Sequence, residues 1–174
     1  MDKAELAKRV VEVALRRGEF KLRSGQISNV YFDKYQFEAV PGLLREIARQ
    51  MVALVPAGTE VLAGLELGGV PIATALSFET GLPVAFVRKE RKSYGTCLIA
   101  EGAVVRGKRL CIIEDVITTG GAVIDSAREL RAEGALFDTV LSVIFRGEGK
   151  DKLAEAGLKR VSLLTLEDLE PYMD

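Results

Sequence analysis

Apolar and polar residues near the start of the chain follow a helical period. A capping-box pattern at Asp2, followed by apolar residues three or four positions apart, predicts a first helix that continues to about Arg17 and ends near Gly18. The stretch that follows is mixed, with a short strand expected at residues 30–32. Pro41 suits the first position of a second helix, because the N–H that proline lacks would be unbonded there in any case.

Farther along the chain, short apolar runs alternate with helical patterns. Strands are predicted at residues 61–63, 83–87, 108–113, 139–145 and 161–164. Helices are predicted from Pro71 to Gly81, Ala122 to Glu133 and Asp151 to Ala156, with Gly68 and Gly69 in a loop. Because the strands are continuous apolar runs separated by helices, the expected fold is α/β, a parallel sheet with helices on both faces.

The carboxyl ends of the predicted strands are where a ligand is expected. In open parallel sheets, ligands bind in the crevice beyond these ends. The loops of interest therefore follow Ala63, Val87, Ile113 and Phe145. Residues in these loops are the first candidates for a functional site.

Composition narrows the classes of function. The 174 residues fit a single domain, and a formal net charge of −1 argues against a non-specific nucleic-acid binder. No apolar run approaches the roughly 18 residues of a membrane span. The first residues contain no apolar signal segment, so the protein is expected in the cytoplasm, away from membranes. Its 2 cysteines cannot make a disulfide framework or a four-thiolate metal site.

The sequence contains no histidine. This excludes Ser-His-Asp and Cys-His nucleophilic catalysis, histidine-ligated zinc and histidine as a general base. Any chemistry must use carboxylates, lysine, arginine, hydroxyl groups, backbone groups or a hard metal ion.

An acid pair and a glycine turn follow the buried strand predicted at residues 108–113. Glu114 and Asp115 come directly after it and need partners, because unpaired buried charge is costly. Sugar hydroxyls, or a metal ion with its waters, would satisfy them. The residues that follow, TTGG at 118–121, then lead into a helix. Glycine N–H groups, threonine hydroxyls and a helix N-terminus suit a phosphate, and this composition favours that interpretation over an ordinary strand-to-helix turn.

This segment differs from the common nucleotide-binding loops, since it has neither G-x-x-x-x-G-K-[ST] nor G-x-G-x-x-G. Residues 112–122, IIEDVITTGGA, instead resemble the phosphoribosyl-pyrophosphate (PRPP) signature of type I phosphoribosyltransferases. Residues 23–33, 64–71 and 88–96 resemble three segments of orotate phosphoribosyltransferases: the amino-terminal S-G-x-x-S segment, the pyrophosphate loop and the mobile basic loop. Arg146, at a strand end, resembles the base-binding arginine of that family.

The resemblance implies a fold, a reaction and partners. The expected fold is the type I phosphoribosyltransferase sheet in a single domain, residues 1–174, with a small hood formed by about residues 1–40 and the carboxyl-terminal end. The implied glycosyltransferase reaction of pyrimidine biosynthesis joins orotate to PRPP and gives orotidine 5′-phosphate and pyrophosphate. Mg²⁺ is the implied cofactor. A homodimer with shared active sites is the implied assembly.

The resemblance also implies roles for individual residues. Glu114 and Asp115 would hold the ribose hydroxyls, with Mg²⁺ bound nearby through PRPP and water. Together with Arg88 and Lys92 they form the expected catalytic set. The expected PRPP-binding residues are Arg23, Arg88, Lys89, Lys92, Tyr94, Glu114, Asp115, Val116, Ile117, Thr118, Thr119, Gly120, Gly121 and Ala122. The expected orotate-binding residues are Tyr31, Phe32, Thr118 and Arg146.

Three positions depart from the family pattern, and some alternatives stay open. Tyr94 stands where many members have histidine, Gly68 where some have lysine, and Arg23 where lysine is common. Tyr31 and Phe32 fit base stacking and core packing equally well. Two other functions are compatible with the sequence: transfer to another base, such as uracil or a purine, and regulation by PRPP binding without catalysis. The intact basic loop disfavours the second.

Overall fold

The computed structural model describes residues 1–21, 25–91, 98–147 and 152–173. At the amino terminus, helix α1 (Lys3–Ala14) begins at Asp2, whose carboxylate accepts the Glu5 N–H at 2.8 Å. Strands β1 (Leu15–Lys21) and β2 (Ile27–Phe32) then form an antiparallel pair. Helices α2 (Tyr35–Glu38) and α3 (Pro41–Met51) follow, and Pro41 opens α3 as predicted.

The first helix is shorter than predicted. It ends at Ala14 rather than near Arg17, because Leu15 already pairs with Phe32 in the β1–β2 ladder. Gly18 lies within β1, at a shift in the strand register. Pairing with a strand more distant in sequence has overridden the local helical pattern, as tertiary context often does.

A six-stranded sheet forms the centre of the fold, in the order β5-β4-β3-β6-β7-β8. The strands are β3 (Val61–Leu65), β4 (Val84–Val87), β5 (Ala100–Gly102), β6 (Leu110–Ile117), β7 (Thr139–Phe145) and β8 (Lys159–Thr165). All neighbouring pairs are parallel except β4 with β5, which is antiparallel. The predicted parallel α/β sheet is therefore confirmed.

The strand order reverses between β3 and β6. From β3 the chain moves outward to β4, whereas from β6 it moves to β7 and β8 on the other side. A crevice opens at such a switch point beyond the carboxyl ends of the strands. The ends of β3 and β6, with the residues that follow them, therefore lie where a ligand is expected.

Strand β6 is longer than predicted. It continues through Ile117, because Val116 and Ile117 pair with the end of β7. The acid pair Glu114 and Asp115 accordingly lies inside the strand rather than in the loop after it. Neighbouring residues of a strand point to opposite faces, so the two carboxylates have different surroundings.

Helix α4 (Glu66–Thr80) starts earlier than predicted. Gly68 and Gly69 belong to its first turns rather than to a loop, and Pro71 lies inside the helix. Glycine at these positions reflects close packing against β6 instead of chain irregularity. The helix ends at Gly81, as predicted, with φ at 74°.

The remaining helices are α5 (Gly121–Ala132), α6 (Lys152–Glu155) and α7 (Leu166–Leu169). One apolar core joins α1, α3, α4 and α7 to one face of the sheet, and a second lies under α5 and α6 on the other. Lys3 of α1 pairs with Asp168 of α7 at 2.7 Å, so both ends of the chain lie together. In the part of the chain that the structure describes, no helix is long and apolar enough to cross a membrane.

Candidate active site

Asp115 is fully buried and holds a network of short contacts. Its Oδ2 lies 2.7 Å from the Lys34 Nζ, and its Oδ1 accepts the Val116 N–H at 2.5 Å. Burial opposes the charged form, but hydrogen bonds from Glu114 and Lys34 hold the pKa of Asp115 below its usual value. Asp115 is therefore an ionised carboxylate paired inside the protein.

Glu114 occupies a different position at the edge of the crevice. Its side chain is half-buried, and its Oε1 accepts the Asp115 N–H at 3.3 Å. Burial, together with the neighbouring Asp115, raises the pKa of Glu114 to about 9. Two adjacent carboxylates seldom ionise together, so the free protein holds one negative charge on the pair. Of the two carboxylates expected to hold ribose hydroxyls, Glu114 is thus the partly exposed one and Asp115 the buried one.

Gly68 makes room for the Asp115 carboxylate. A Cβ atom added at Gly68 would overlap with the Asp115 carboxylate group. The first turn of α4 therefore lies closer to β6 than it could with any residue other than glycine at position 68.

We expect Gly68→Ala to reduce the activity of this site by at least about tenfold, because the added Cβ atom must displace the Asp115 carboxylate. Steady-state kinetics would measure this loss, with Gly42→Ala as the control, since a Cβ atom there meets nothing within 4 Å. Activity equal to that of the parent would mean that the position of Asp115 has no bearing on the reaction.

Glu38 of α2 is a second buried carboxylate beside Asp115, and sequence reasoning missed it. Burial and the charge of Asp115 raise the pKa of Glu38 to about 8, with Asp33 adding to the rise and Lys34 opposing it. The folded protein therefore binds a proton at Glu38 that the unfolded chain has released above about pH 4.5. Through this group the free energy of unfolding falls as pH rises from about 4.5 to about 8.

The variant Glu38→Gln is neutral at every pH and should escape this loss. We expect its melting temperature, relative to that of the parent, to rise as pH increases from about 5 to about 8. Thermal unfolding at several pH values would check this, with Glu12→Gln on the exposed side of α1 as the control. Parallel pH profiles for the parent and Glu38→Gln would contradict the assignment.

The turn at residues 118–122 follows β6, and its exposed hydroxyl and N–H groups form a cradle for an anion. Thr118 and Thr119 are exposed, and Gly120 precedes α5 with φ at 76°, a conformation that glycine adopts without strain. The Ile124 N–H makes the first bond to the Gly120 carbonyl at 3.0 Å, which leaves the earlier N–H groups of the helix free to bind an anion. The helix begins at Gly121, one residue before the predicted start.

Not every residue of the expected PRPP set reaches the crevice. Ile117 is buried in the core under α5, and its carbonyl accepts the Arg146 N–H at 2.9 Å. Val116 packs against the opposite core. Gly121 and Ala122 are exposed at the helix start. The two aliphatic side chains thus support the cradle from within, and the exposed residues after them form its surface.

Arg146 and Phe32 meet beside this cradle. The guanidinium carbon of Arg146 lies 5.0 Å from the centre of the Phe32 ring, a cation–π distance. Arg146 follows β7, and its backbone bond to Ile117 brings it next to Thr118. Burial lowers the pKa of Arg146, although a guanidinium remains charged at neutral pH.

Tyr31 lies apart from this group. Its side chain is 46% exposed, and its ring centre is 5.5 Å from that of Phe20. Phe32 and Tyr31 are neighbours in β2 and so point to opposite faces. The structure thus joins Phe32, Thr118 and Arg146 of the expected orotate set and places Tyr31 against Phe20.

The described part of the basic segment opens onto a groove after β4. Arg88, Lys89 and the first turn of α4, with Glu66 at φ 54°, line this groove, whose volume is about 690 Å³. Arg91 points elsewhere and pairs with Glu133 and, at 3.2 Å, with Glu129 of α5. Three other expected site residues lie outside the described residues: Arg23, Lys92 and Tyr94.

Lys34 is the other site residue that sequence reasoning missed. It follows Asp33 at the end of an aromatic strand, and nothing local distinguishes it from a surface lysine. Only the packing of α2 against the carboxyl end of β6 gives it a partner. The acid pair indicated that a cation or a ligand must lie nearby. The sequence did not show that Lys34 is this cation.

The donors fit a magnesium ion held mainly by substrate. Among the described residues, no group of three or more His, Cys, Asp or Glu side chains is arranged to hold a metal. Mg²⁺ commonly takes one or two carboxylates and completes its shell with water and substrate phosphates. Glu114, at the crevice edge, suits the role of such a carboxylate.

Comparison with known proteins identifies the class. A model of the phosphoribosyl transferase domain matches residues 35–165, which contain the acid pair, the cradle and Arg146. The chain therefore belongs to the phosphoribosyltransferases and has their fold. An orotate phosphoribosyltransferase from a Nocardioides species is 54% identical over 168 residues, 96% of this chain and 94% of the relative. Another, from Methanocella arvoryzae, is 38% identical over 160 residues, 91% of each chain.

Solved structures agree with these relatives. The Mycobacterium tuberculosis orotate phosphoribosyltransferase in complex with PRPP is 30% identical to this chain. Its TM-score is 0.83, with 98% of this chain and 99% of that chain covered. The chain belongs to the orotate phosphoribosyltransferase family, pentosyltransferases of pyrimidine biosynthesis.

Proposed function

We propose that this chain transfers the 5-phosphoribosyl group of PRPP to orotate and releases pyrophosphate, using the residues around the ends of β6 and β7. One observation carries the assignment of roles. Glu114 lies near the carboxyl end of β6, the helix N-terminus at Gly121 follows that strand, and Arg146 follows β7 and stacks on an aromatic ring. The carboxylate suits a sugar, the helix N-terminus suits its 5′-phosphate, and the arginine suits a flat anionic base.

Glu114 binds the ribose hydroxyls, and residues 118–122 bind the 5′-phosphate. As the bond from the anomeric carbon to the diphosphate breaks, the sugar gains positive charge, which the single negative charge of the acid pair stabilises. The phosphate accepts hydrogen bonds from the threonine hydroxyls and the first N–H groups of α5. With the sugar held at both ends, positioning supplies much of the rate.

Arg146 and Phe32 form the base pocket. The planar fork of Arg146 binds the orotate carboxylate and an adjacent ring carbonyl, and Thr118 completes the pocket. The Phe32 ring limits the positions that the guanidinium can take. Uracil, which lacks the carboxylate, leaves the cation unpaired and is rejected.

The diphosphate departs on the side of the groove lined by Arg88 and Lys89, with Lys92 of the same basic segment as a third cation. These cations stabilise the negative charge that builds on the leaving group. Glu114 and the phosphates of the substrate would hold Mg²⁺, which would neutralise negative charge on the diphosphate. Neither step requires a covalent nucleophile, which agrees with a chain that contains no histidine.

An assay for pyrophosphate release tests the proposal. The protein, PRPP, Mg²⁺ and orotate should yield pyrophosphate and orotidine 5′-phosphate in equal amounts, and a chelator should stop both. Binding of PRPP without any product would instead indicate a regulatory protein. Product from another base but not from orotate would retain the phosphoribosyl site and reject the base assignment.

We propose further that the single domain works as a homodimer. An apolar stripe on α4 supports this: Phe78 is 85% exposed and Leu67 is 69% exposed, with Pro71 and Ala75 between them at helical spacing. The stripe starts beside Arg88. Exposed apolar surface of this kind marks interaction sites, and a second copy here brings its basic segment close to this crevice.

A mixing experiment tests both the dimer and the shared site. Lys92→Ala disables the basic segment, and Asp115→Asn disables the acid pair that precedes the cradle. If segment and cradle come from different subunits, a mixture after subunit exchange should recover up to about a quarter of the parent activity, because one site in each hybrid dimer is intact. A mixture that stays inactive after verified exchange would mean that the segment acts within its own subunit.

The same mixture locates the interface. Adding Phe78→Glu to both chains should prevent recovery, since it places a charge in the apolar stripe. Leu136→Glu, at an exposed apolar residue near the amino end of β6, should not. Recovery in the presence of Phe78→Glu would rule out the α4 stripe as the contact.

A further inference from the structure

Lys34 is held by a rigid turn that links the β1–β2 hairpin to the crevice. The preceding Asp33 donates its N–H to the Ala14 carbonyl at 2.8 Å. Its carboxylate accepts the Tyr35 N–H at 3.3 Å and the Gln36 Nε2 at 2.9 Å. The backbone of Lys34 is thus fixed on both sides, and its side chain extends from a defined point.

The Lys34 ammonium lies at the boundary between a buried carboxylate and open solvent. The Lys34 side chain is 35% exposed, whereas that of Asp115 is 0% exposed. Because Gly68 has no side chain, the Asp115 carboxylate can occupy the space beside it. The ion pair therefore fixes the direction in which Asp115 points, away from the surface where Glu114 is accessible.

The chain places this contact two residues after Phe32, which stacks on Arg146. One short segment, residues 32–34, thus touches both the base pocket and the acid pair.

We infer that Lys34 is a positioning residue for the proposed transferase reaction: by pairing with Asp115 it keeps that carboxylate in place beneath the sugar site and leaves Glu114 to contact the ribose. This inference rests on the proposed function. Without Lys34, Asp115 would be an uncompensated buried charge, which must either gain a proton or turn toward the crevice. Both outcomes disturb the surface that receives PRPP.

Three variants test the inference. Lys34→Met removes the charge at similar length, Lys34→Arg keeps it, and Lys108→Met breaks a surface ion pair with Glu60 as the matched control. We expect Lys34→Met to lower kcat/KM for PRPP by at least about tenfold. Lys34→Arg should restore most of the activity, and Lys108→Met should behave as the parent. If Lys34→Met does not fold, Lys34→Gln replaces it with the same expected direction.

A double-mutant cycle separates positioning from general damage. In an Asp115→Asn background, Lys34→Met should cause less than about a twofold further loss, because the two residues act as a unit. Equal losses in both backgrounds, or a Lys34→Met enzyme as active as the parent, would overturn the inference.

Calorimetry of PRPP with Mg²⁺ and no base gives a second measurement that does not depend on orotate. Lys34→Met should bind PRPP at least about tenfold more weakly than the parent, and unchanged binding would count against positioning of the sugar site. A parent that binds PRPP but does not use orotate would refute the proposed function alone, because the comparison of PRPP binding would still stand.

Discussion

The double variant Glu114→Gln, Asp115→Asn should fold and lose at least about 100-fold in kcat/KM for PRPP, the scale of a missing transition-state stabiliser. The amides keep the shapes of the carboxylates but supply no negative charge. As positive charge develops on the ribose, nothing on β6 then balances it. Steady-state kinetics of pyrophosphate release would measure the loss.

Folding is the necessary control for this variant. Because Lys34 remains partly exposed after Asp115→Asn, its ammonium can be hydrated, and the cost to stability should be modest. Circular dichroism and thermal unfolding would verify this. The single variant Glu114→Gln changes the ribose contact at the crevice edge but keeps the negative charge on Asp115, so it should lose less activity than the double variant. A double variant that turns over orotate at the parent rate would show that the sugar site is wrongly assigned.

Arg146→Ala should weaken orotate use by at least about 2 kcal/mol in kcat/KM, the value of a charged hydrogen bond lost from a partly buried site. This corresponds to about a 30-fold loss. The KM for PRPP should change far less, because Arg146 follows β7 and its side chain contacts Phe32 rather than the cradle. Kinetics with each substrate varied in turn would separate the two effects.

The chain offers a matched control for Arg146. Arg131 lies 5.1 Å from the Phe137 ring, nearly the same cation–π distance, but at the far end of α5. Arg131→Ala should leave orotate kinetics unchanged. Arg146→Lys should fall between Ala and the parent, since lysine keeps the charge without the planar fork. Equal effects of Arg146→Ala and Arg131→Ala would show that Arg146 does not bind orotate.

Local sequence signals predicted the central part of the molecule. The strand, turn and helix at residues 110–132 form one contiguous segment, and apolar runs and glycines define it without reference to the rest of the chain. The same holds for the parallel sheet, which follows from strands alternating with helices. The cradle could therefore be predicted to within one residue of its helix start.

Where a feature depends on contacts between distant parts of the chain, the sequence-based prediction was wrong or absent. Gly68 was predicted to lie in a loop, but it lies in α4, where the missing side chain allows the helix to pack closely against Asp115. The first helix was expected to reach Arg17, but pairing with β2 ended it at Ala14. Lys34 and Glu38 carried no local signal, because their roles arise only when α2 packs against β6.

The acid pair illustrates the limit most clearly. Two adjacent carboxylates predicted a site, and the resemblance gave both the same role. Strand geometry separates them, with Asp115 paired to Lys34 in the interior and Glu114 at the crevice. The sequence could not show this difference, because it depends on how far β6 extends before the chain turns.

The base specificity of the parent enzyme tests the assignment of orotate as its substrate. With PRPP and Mg²⁺, kcat/KM should be measured for orotate, uracil, adenine and hypoxanthine under the same conditions. The kcat/KM for orotate should exceed that for each of the others by at least about 100-fold, because a pocket built around Arg146 rejects bases without a carboxylate. A parent enzyme that prefers any of the other three bases would contradict this assignment.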